Sequence, residues 1–370
     1  MPQQRVALLL PSTSLGGAER MVIRIGNNLS QNEVDSHILL LQDTGVLSGE
    51  ISDAVTVHSL AVARARKAPL ALVSALRHLR PDAIFSTHAR LNFMSVALRP
   101  FLRSKPRIVL REAANPITDM RFQNTSHTYT PLYKWLYPRA DTLICQSTQM
   151  VQDFDKLMGR RLPNIVQIYN PAQRKLLAAS PTEVSSPFKQ DGGFQLLTCG
   201  SLTRRKGYDV LLDALKRVMD DGLNVQLTML GDGPERDALQ SQAASLGILD
   251  RVHFKGRTLN TSPYYLHADV FLQPSRVEGL PNTVIEALAC GTPVVASNCP
   301  GGTRELVRNT QNGALFESED VDALAVALSN TLAELDRYTP QAVRDTIAHL
   351  RPDTVFAQLR AAILGHQHTP

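Results

Sequence analysis

The sequence predicts an α/β protein built from two Rossmann-like domains, and three observations lead to that prediction. Short apolar runs alternate with longer helical patterns along most of the chain. The alternation stops at Asn170-Pro171 and starts again near residue 194. The chain has 370 residues, more than the roughly 250–300 residues that one hydrophobic core usually supports. Two successive βαβ arrays are therefore expected, each with its own parallel sheet.

The first array, expected over residues 1–170, contains seven strand candidates. They are runs of Val, Ile and Leu without polar alternation, which is typical of strands buried on both faces of a parallel sheet. The candidates are Val6–Leu10, His37–Leu41, Val55–Leu60, Ala83–Ser86, Arg107–Leu110, Thr142–Cys145 and Ile165–Tyr169. Glu19–Leu29 is predicted to be a helix because its apolar residues recur on one face at helical spacing.

The second array follows a segment of different composition. Residues 171–193 contain three prolines, clustered serines and a Gly-Gly pair, which indicates an interdomain linker. The six strand candidates that follow are Gln195–Cys199, Val225–Leu230, Val252–Phe254, Val270–Gln273, Val294–Ala296 and Ala314–Phe316. The second domain is thus expected over residues 194–350. The C-terminal helix, 351–370, is expected to pack back on the first domain.

The composition excludes several classes of protein. Aromatic residues make up only 5% of the chain, so a protein that stacks nucleic-acid bases on aromatic side chains is not expected. No apolar stretch approaches the roughly 18–20 residues of a spanning helix, and the apolar run Val6–Leu10 is shorter than the about 7–15 residues of a signal peptide. A cytoplasmic protein is expected. Its scattered cysteines predict neither a zinc site nor a disulfide framework: Cys145, Cys199, Cys290 and Cys299.

Ligands of open α/β sheets bind beyond the carboxyl ends of the strands, so the strand-to-helix turns are candidate sites. The first turn contains Gly16 and Gly17 before a helix, where a diphosphate could approach the backbone and the helix N-terminus. A tight turn that needs glycine is the alternative. The turn that opens the second array carries Arg204, Arg205 and Lys206, which suit phosphate. A solvated charged loop is the alternative there.

The segment SRVEGLPNTVIEALACGTP predicts a loop followed by a helix. Pro281 suits the helix N-terminus, so Glu278 falls in the loop and Glu286 within the helix. The amides around Asn282 and Thr283 offer another anion site. Glu286 lies in an apolar run and needs a partner, for which ribose hydroxyls are predicted; a backbone group or an arginine is the alternative.

The two glutamates, with seven residues between them in EGLPNTVIEALACGTPVV, resemble the E-x7-E signature of retaining glycosyltransferases with the GT-B fold. The resemblance is to glycosyltransferase family four, of the bacterial surface-polysaccharide and glycolipid type, and it covers nearly the whole chain. It implies two Rossmann-like domains that face each other across a cleft. The other matching segments are GGAE at 16–19, NP at 170–171, RRKG at 204–207, GDGPE at 231–235, FKG at 254–256 and a GG–E pattern at 301–305.

The resemblance implies a role for each matching residue. Lys206 would bind phosphate, Glu278 would bind the donor sugar near its 3-hydroxyl, and His88 would contact that sugar. The implied catalytic residues are Glu278, Lys206, Arg204 and His88. The implied donor- and nucleotide-binding residues are Gly16, Gly17, Arg205, Lys206, Arg257, Asn282, Thr283 and Glu286. Glu112, in the turn after Arg107–Leu110, is a candidate residue for the acceptor.

One position departs from the family pattern. The family's G-R-L triplet, whose arginine binds the diphosphate, reads Gly200-Ser201-Leu202 here. Arg204 or Arg205 is expected to replace the missing charge.

The resemblance implies a retaining hexosyltransferase. It would move a hexose or N-acetylhexosamine from a nucleotide-diphosphate sugar, with UDP the expected nucleotide, to a saccharide or lipid-linked acceptor. No metal or other cofactor is expected, because fixed cations and helix N-termini can stabilise the leaving diphosphate. A non-catalytic nucleotide-sugar-binding protein and a nucleotide-sugar epimerase are the alternatives. An NAD oxidoreductase is disfavoured because no turn reads GxGxxG.

The formal net charge of +5 conceals two halves of opposite sign. Residues 1–180 contain 22 Lys and Arg against 12 Asp and Glu, whereas residues 181–370 contain 17 against 22. Basic clusters at 64–67, 77–80 and 99–107 accompany the aromatic stretch Tyr129–Tyr137. This combination suits an anionic membrane surface as a partner, with a scattered basic surface as the alternative. No nucleic-acid partner is expected.

Overall fold

The computed structural model describes residues 3–14, 16–42, 44–62, 67–117, 120, 125–188 and 192–366. The chain divides into two compact units. The first comprises Met1–Tyr169 and Asp353–Pro370, and the second comprises Asn170–Pro352. Each unit is built around one parallel sheet, as the two βαβ arrays predict.

The strands follow the predicted apolar runs, and their ends differ from the predictions by at most two residues. In chain order they are β1 (Arg5–Leu10), β2 (Asp35–Leu40), β3 (Thr56–Ser59), β4 (Ala83–Ser86), β5 (Arg107–Arg111), β6 (Thr142–Cys145), β7 (Ile165–Gln167), β8 (Phe194–Cys199), β9 (Val225–Leu230), β10 (Val252–Gly256), β11 (Val270–Gln273), β12 (Val294–Ser297) and β13 (Gly313–Phe316). The edge strand β3 is an exception to the expected burial, since its residues are exposed or half-buried.

The helices lie between the strands and at the C-terminal end of the described chain. They are α1 (Gly17–Gln31), α2 (Ala68–Leu79), α3 (Ala89–Leu98), α4 (Ser126–Leu136), α5 (Thr148–Met158), α6 (Arg174–Leu177), α7 (Tyr208–Asp220), α8 (Arg236–Ser245), α9 (Ser262–His267), α10 (Asn282–Cys290), α11 (Thr303–Leu306), α12 (Val321–Ala333), α13 (Pro340–Asp345) and α14 (Pro352–Leu364). Short 3-10 turns include Arg204–Lys206.

The first unit has a seven-stranded sheet in the order β3-β2-β1-β4-β5-β6-β7. Helices α2 to α5 pack on one face, where Leu72 and Phe154 share a core with Leu9 of β1. Helices α1 and α14 pack on the other face. The amphipathic pattern of α14 buries Leu359 and Ile363 against this face, so the C-terminal helix completes the core of the first unit.

The second unit has a six-stranded sheet in the order β10-β9-β8-β11-β12-β13. Its core joins α7 and α12 to the central strands, with Leu211, Leu227 and Leu328 all fully buried. Helix α10 is bordered by α6, α9 and α13.

Residues 171–188 belong to the second unit, which corrects their prediction as part of a linker over 171–193. The Ala172 N–H donates to the Leu350 carbonyl at 2.9 Å, and Leu176 of α6 is buried. The prolines and serines in this segment suggested a linker, but Ala172 and Leu176 are buried.

In each sheet the strand order reverses beside the first strand of that unit, so the two reversals are at equivalent positions. In the first sheet β1 lies beside β4, and in the second sheet β8 lies beside β11. Such a switch point leaves room for a ligand beyond the carboxyl ends of the two strands. Four turns adjoin these switch points: those after β1 and β4 in the first unit, and those after β8 and β11 in the second.

Replacing Leu359 by alanine tests whether α14 belongs to the first unit's core. We expect Leu359→Ala to lower the free energy of unfolding by about 2–5 kcal/mol, because a fully buried leucine leaves a cavity. Urea denaturation measures this change. Thr354→Ala, at an exposed position of the same helix, is the control and should change stability by no more than about 0.5 kcal/mol. Equal effects of the two substitutions would contradict the packing of α14.

Candidate functional site

The turn after β8 places three cations in a single 3-10 turn, Arg204–Lys206. Gly207 ends this turn with φ 66°, in the left-handed region that favours glycine. A Cβ atom on Gly207 would overlap the Pro274 carbonyl oxygen. Glycine therefore lets this turn pack directly against the segment that follows β11.

Arg276 holds the turn from the neighbouring segment. Its Nη1 donates to the Arg204 carbonyl at 2.7 Å, and its backbone N–H donates to the Arg205 carbonyl at 2.8 Å. Its guanidinium also binds both carboxylate oxygens of Asp209 in α7, at 2.9 and 2.8 Å. Burial raises the pKa of Asp209, but the hydrogen bonds and charge of Arg276 outweigh it and leave the pKa lowered. The sequence did not reveal this clamp.

The cation at the end of this turn forms a buried ion pair with the first glutamate of the E-x7-E pattern. Lys206 Nζ lies 2.5 Å from Glu278 Oε1, and the two side chains are only 10% and 7% exposed. Gln273 Nε2 and Ser275 Oγ each donate to the same oxygen at 2.7 Å. Three donors thus converge on Oε1. Glu278 Oε2 has no hydrogen-bond partner in the described part of the chain.

Glu278 is ionised despite its burial. Burial raises the pKa of Glu278, but the charges of Lys206 and Arg205 and the hydrogen bonds from Lys206 and Ser275 together lower it below its ordinary value. The site is therefore a fixed carboxylate beside fixed cations, as in a preorganised electrostatic centre.

The backbone of Gly301 and Gly302 packs closely against the loop that carries Glu278. Gly301 has φ 134°, and a Cβ atom there would overlap the Glu278 carbonyl oxygen. The Gly302 N–H donates to the Gly279 carbonyl at 2.6 Å, and the Glu278 N–H donates to the Pro300 carbonyl at 3.1 Å. The GG–E segment thus holds the loop that carries Glu278.

The two arginines of the turn differ from Lys206. Arg204 is exposed and Arg205 is half-buried. Neither guanidinium forms a hydrogen bond or salt bridge with any residue that the structure describes. Arg257, directly after β10, is exposed and is likewise without such a partner in the described ranges. These three groups are available to an anionic ligand.

Glu286 lies on α10 with protein donors on both of its oxygens. Gln173 Nε2 donates to Oε1 at 2.6 Å and Tyr265 OH donates to Oε2 at 3.1 Å. These two donors fix the orientation of the Glu286 carboxylate.

The N-terminus of α10 is fixed by side chains from two other segments. Asn282 Oδ1 accepts from Asn170 Nδ2 at 2.7 Å, and Thr283 Oγ1 donates to Gln273 Oε1 at 3.1 Å. Gln273 therefore connects the N-terminus of α10 to Glu278. Sequence reasoning missed Asn170 and Gln273 as positioning residues, although the NP motif contains the first of them.

In the first unit the turns after β1 and β4 meet through His88 and Glu19. His88 Nε2 lies 3.3 Å from Glu19 Oε1. Gly16 precedes α1 and Gly17 is its first residue. A Cβ atom on Gly16 would overlap the Glu19 carboxylate. The Glu19 carboxylate therefore lies beside Gly16, and the approach of a ligand to this turn stays a prediction.

Glu112 is buried, which does not support its predicted contact with an acceptor. Its Oε1 accepts from Asn92 Nδ2 at 2.9 Å and from the Tyr137 hydroxyl. Gln146 donates to its backbone carbonyl. The neighbouring Arg111 is also buried, and burial lowers the pKa of its guanidinium to about 10 although the charge of Glu112 opposes this. These contacts hold Glu112 in the core of the first unit, and its contact with an acceptor stays a prediction.

Among the described residues, no group of three or more His, Cys, Asp and Glu side chains is arranged to hold a metal ion. Metal independence stays a prediction.

Two family models match the chain. The model described as "Glycosyl transferase 4-like domain" matches residues 16–171, and the model "Glycosyl transferases group 1" matches residues 180–340. A similar solved structure is that of HepE from Anabaena in complex with UDP-glucose. It has a TM-score of 0.82 and 20% identity, and the match covers 98% of this chain and 100% of that one. At this identity the likeness shows the fold alone, which is the GT-B fold.

Similar curated proteins are also glycosyltransferases. An uncharacterized glycosyltransferase from Methanocaldococcus jannaschii is 28% identical over 244 residues, or 64% of this chain. The chain spans only 60% of that relative's length. The N-acetylgalactosamine-N,N'-diacetylbacillosaminyl-diphospho-undecaprenol 4-alpha-N-acetylgalactosaminyltransferase of Campylobacter jejuni is 25% identical over 346 residues, or 90% of this chain and 91% of that one.

The Glu278→Gln substitution tests the buried ion pair through its pH dependence. At neutral pH we expect a loss of about 3–5 kcal/mol of stability, because Lys206 stays buried without its carboxylate. Since folding lowers the pKa of Glu278, the ion pair stabilises the protein above the ordinary value of 4.5 and is lost as the pH falls through the folded value. Urea denaturation at several pH values measures the difference between wild type and variant.

The difference should shrink below about pH 4.5, the ordinary value of a glutamate. Glu317→Gln, at an exposed glutamate of the same unit, is the control and should show little difference at any pH. A Glu278→Gln effect that stays constant from neutral to acid pH would contradict the ion pair.

Proposed function

The chain belongs to the glycosyltransferases that combine a 4-like domain with a group 1 domain, and we propose that it is a retaining hexosyltransferase. It transfers a hexose or N-acetylhexosamine from a nucleotide-diphosphate sugar to a saccharide or lipid-linked acceptor, in bacterial polysaccharide or glycolipid biosynthesis. The observation that carries this proposal is the arrangement of the second unit's turns after β8 and β11. A buried carboxylate, a buried ammonium and two available guanidinium groups lie together there.

The cations suit the leaving diphosphate. One N–H of the Lys206 ammonium donates to Glu278. Its other two N–H groups are donors for phosphate oxygens. Arg204 and Arg205 offer guanidinium groups without protein partners in the described ranges. Fixed cations stabilise negative charge as it develops on the departing nucleoside diphosphate and cost no reorganisation at that moment. We assign to Arg204 or Arg205 the charge that the family has at the position of Ser201.

The two glutamates suit hydroxyl groups. Glu278 uses Oε1 for protein donors, and we assign Oε2 to a hydroxyl of the donor sugar. Glu286 is held by Gln173 and Tyr265, and we assign the ribose hydroxyls to its carboxylate. An ionised carboxylate is a strong acceptor for hydroxyl donors, so both assignments use the charge that the protein already maintains.

The relatives support the substrate classes. HepE was solved in complex with UDP-glucose, which supports UDP as the nucleotide for this chain. The Campylobacter relative is named for transfer of N-acetylgalactosamine to a diphospho-undecaprenol saccharide, which supports a lipid-linked acceptor.

A basic–aromatic patch on the first unit supports an anionic membrane surface as a partner. We define it as Arg77, Arg99, Phe101, Trp135 and Arg139. Phe101 and Trp135 are 57% and 58% exposed. Arg77 Nε donates to the Phe101 carbonyl at 2.9 Å, and Arg139 lies over the Trp135 ring at 4.9 Å. Arg99 donates to the Arg139 carbonyl at 3.5 Å, which connects the two parts.

The charge of the units agrees with this partner. The first unit has 21 Lys and Arg against 13 Asp and Glu, a net of +8, whereas the second has 18 against 21. Each basic residue near an anionic bilayer contributes about 1 kcal/mol of attraction. No helix within the described ranges has both the length and the apolar character to cross a bilayer.

A thermal-shift panel of UDP, GDP and ADP tests the donor assignment. We expect UDP to raise the melting temperature of the protein and EDTA to leave that shift unchanged, because protein cations replace a metal at the diphosphate. Glu286→Ala should weaken UDP binding about 10–100-fold, through loss of a charged acceptor for the ribose. Arg337→Ala, an exposed arginine of the same unit, is the control.

Stabilisation by none of the three nucleotides would overturn the proposed function. Loss of the UDP shift in EDTA would overturn metal independence alone. Comparing Arg204→Ala with Arg205→Ala identifies the arginine that replaces the family's charge. If UDP binds but is released from no UDP-hexose or UDP-N-acetylhexosamine in the presence of an acceptor, the chain is the non-catalytic binding protein that the serine at position 201 allows.

Vesicle co-sedimentation tests the basic–aromatic patch. We expect wild-type protein to sediment with vesicles that contain phosphatidylglycerol and not with pure phosphatidylcholine. The double substitution Phe101→Ser and Trp135→Ser should reduce binding about tenfold or more, because two exposed aromatic anchors are lost. Val326→Ser removes an equally exposed apolar side chain from the second unit and should have no effect. Equal sedimentation with both kinds of vesicle would contradict the membrane proposal.

A further inference from the structure

The main chain of His88 is fixed by the elements on both sides of it. His88 precedes α3, and its carbonyl accepts the first helical hydrogen bond from the Asn92 N–H at 2.8 Å. The hydroxyl of the preceding Thr87 accepts from Arg111 Nη1 at 2.9 Å. Arg111 is itself buried. The position of the His88 backbone is therefore set by the core of the first unit.

The ring of His88 is asymmetric in its surroundings. Its Nε2 is buried and lies 3.3 Å from Glu19 Oε1, but this contact lacks the alignment of a hydrogen bond, and Nε2 has no other partner among the described residues. The side chain as a whole is 31% exposed. The Nδ1 atom has no hydrogen-bond partner among the residues that the structure describes. One edge of the imidazole thus faces a carboxylate, and the other edge is left for a ligand.

The Glu19 carboxylate is ionised. Burial raises the pKa of Glu19, but the interaction with His88 and a hydrogen bond from its own backbone N–H outweigh it and lower the pKa. A carboxylate oxygen has only lone pairs to offer, so it requires a proton on the ring nitrogen that faces it. In the neutral imidazole the proton then lies on Nε2, and Nδ1 keeps its lone pair.

Gly16 makes this arrangement sterically possible. Its backbone is extended, with φ −126° and ψ 153°, a conformation that any residue adopts. Glycine is therefore not required there by the backbone. A Cβ atom at this position would overlap Glu19 Oε2, so any larger residue would displace the carboxylate that faces His88.

We propose that Glu19 is a positioning residue that holds the proton of neutral His88 on Nε2 and leaves Nδ1 as an exposed hydrogen-bond acceptor. The inference rests on the proposed function for its ligand, a hydroxyl group of a sugar. A lone pair accepts from a hydroxyl but repels the oxygens of a phosphate dianion. The turn after β4 therefore favours an uncharged hydroxyl over a phosphate.

Nitrogen NMR of the His88 ring tests the proposal without any nucleotide. Long-range ¹H–¹⁵N spectra of protein labelled with ¹⁵N-histidine distinguish protonated from unprotonated ring nitrogens, and the spectrum of His88→Gln assigns the signals. At alkaline pH we expect wild-type His88 to show a protonated Nε2 and an unprotonated Nδ1. Glu19→Ala and Gly16→Ala should each convert this single pattern into the averaged pattern of two tautomers.

The controls are substitutions of the same type in the same unit. Gly49→Ala adds a methyl group where no atom lies within 4 Å, and Glu33→Ala removes an exposed carboxylate. Neither should change the His88 signals. Gly16→Ala made in the Glu19→Ala background should cause no further change, since glycine 16 acts through the carboxylate.

A proton on Nδ1 in the wild type, or wild-type spectra in both Glu19→Ala and Gly16→Ala, would overturn the proposal. If Glu19→Ala does not fold, Gly16→Ala still displaces the carboxylate and decides the question. Failure of UDP to bind would overturn the proposed function and leave the tautomer result standing. The two failures are therefore distinguishable.

Discussion

The buried ion pair between Lys206 and Glu278 is the interaction on which the second unit's site depends. It joins the turn after β8 to the turn after β11 at the switch point of the sheet. A buried charge without a partner is costly, so each of the two residues keeps the other in place. Gln273 extends the constraint to the N-terminus of α10 through Thr283. A diphosphate that approaches Lys206 therefore meets groups whose positions are already fixed.

The first unit has a similar arrangement of turns. The switch point there also brings two turns together, and a carboxylate again faces the functional side chain. The two units nevertheless prepare different chemistry. Three cations lie in the turn after β8 of the second unit, whereas an imidazole beside a carboxylate lies in the first unit. The turns of the two units therefore suit different ligand groups.

The strands could be predicted from sequence because they depend on local composition. The bounds of β6, β9 and β11 match the predicted runs residue for residue, since continuous apolar runs between polar turns leave little freedom. Strand β3 was predicted to be buried, but its residues are exposed or half-buried because it lies at the edge of the sheet. The strand order that places it there cannot be inferred from its own residues. The linker prediction gave too little weight to Leu176, which is buried although prolines and serines surround it.

The candidate site was predictable as a set of turns but not as a network of contacts. Glu278, Glu286 and Lys206 belong to motifs, so the sequence points to them. Their partners come from distant segments: Gln173 lies 113 residues from Glu286, and Arg276 lies 67 residues from Asp209. The contact between Gly16 and the Glu19 carboxylate is likewise visible only in the folded chain.

A crystal structure of the protein with UDP tests the central claim most directly. Our account predicts diphosphate oxygens within hydrogen-bonding distance of Lys206 Nζ and of a guanidinium from Arg204 or Arg205. It also predicts ribose hydroxyls at the Glu286 carboxylate. A nucleotide bound without contact to the turn 200–207 would contradict the account.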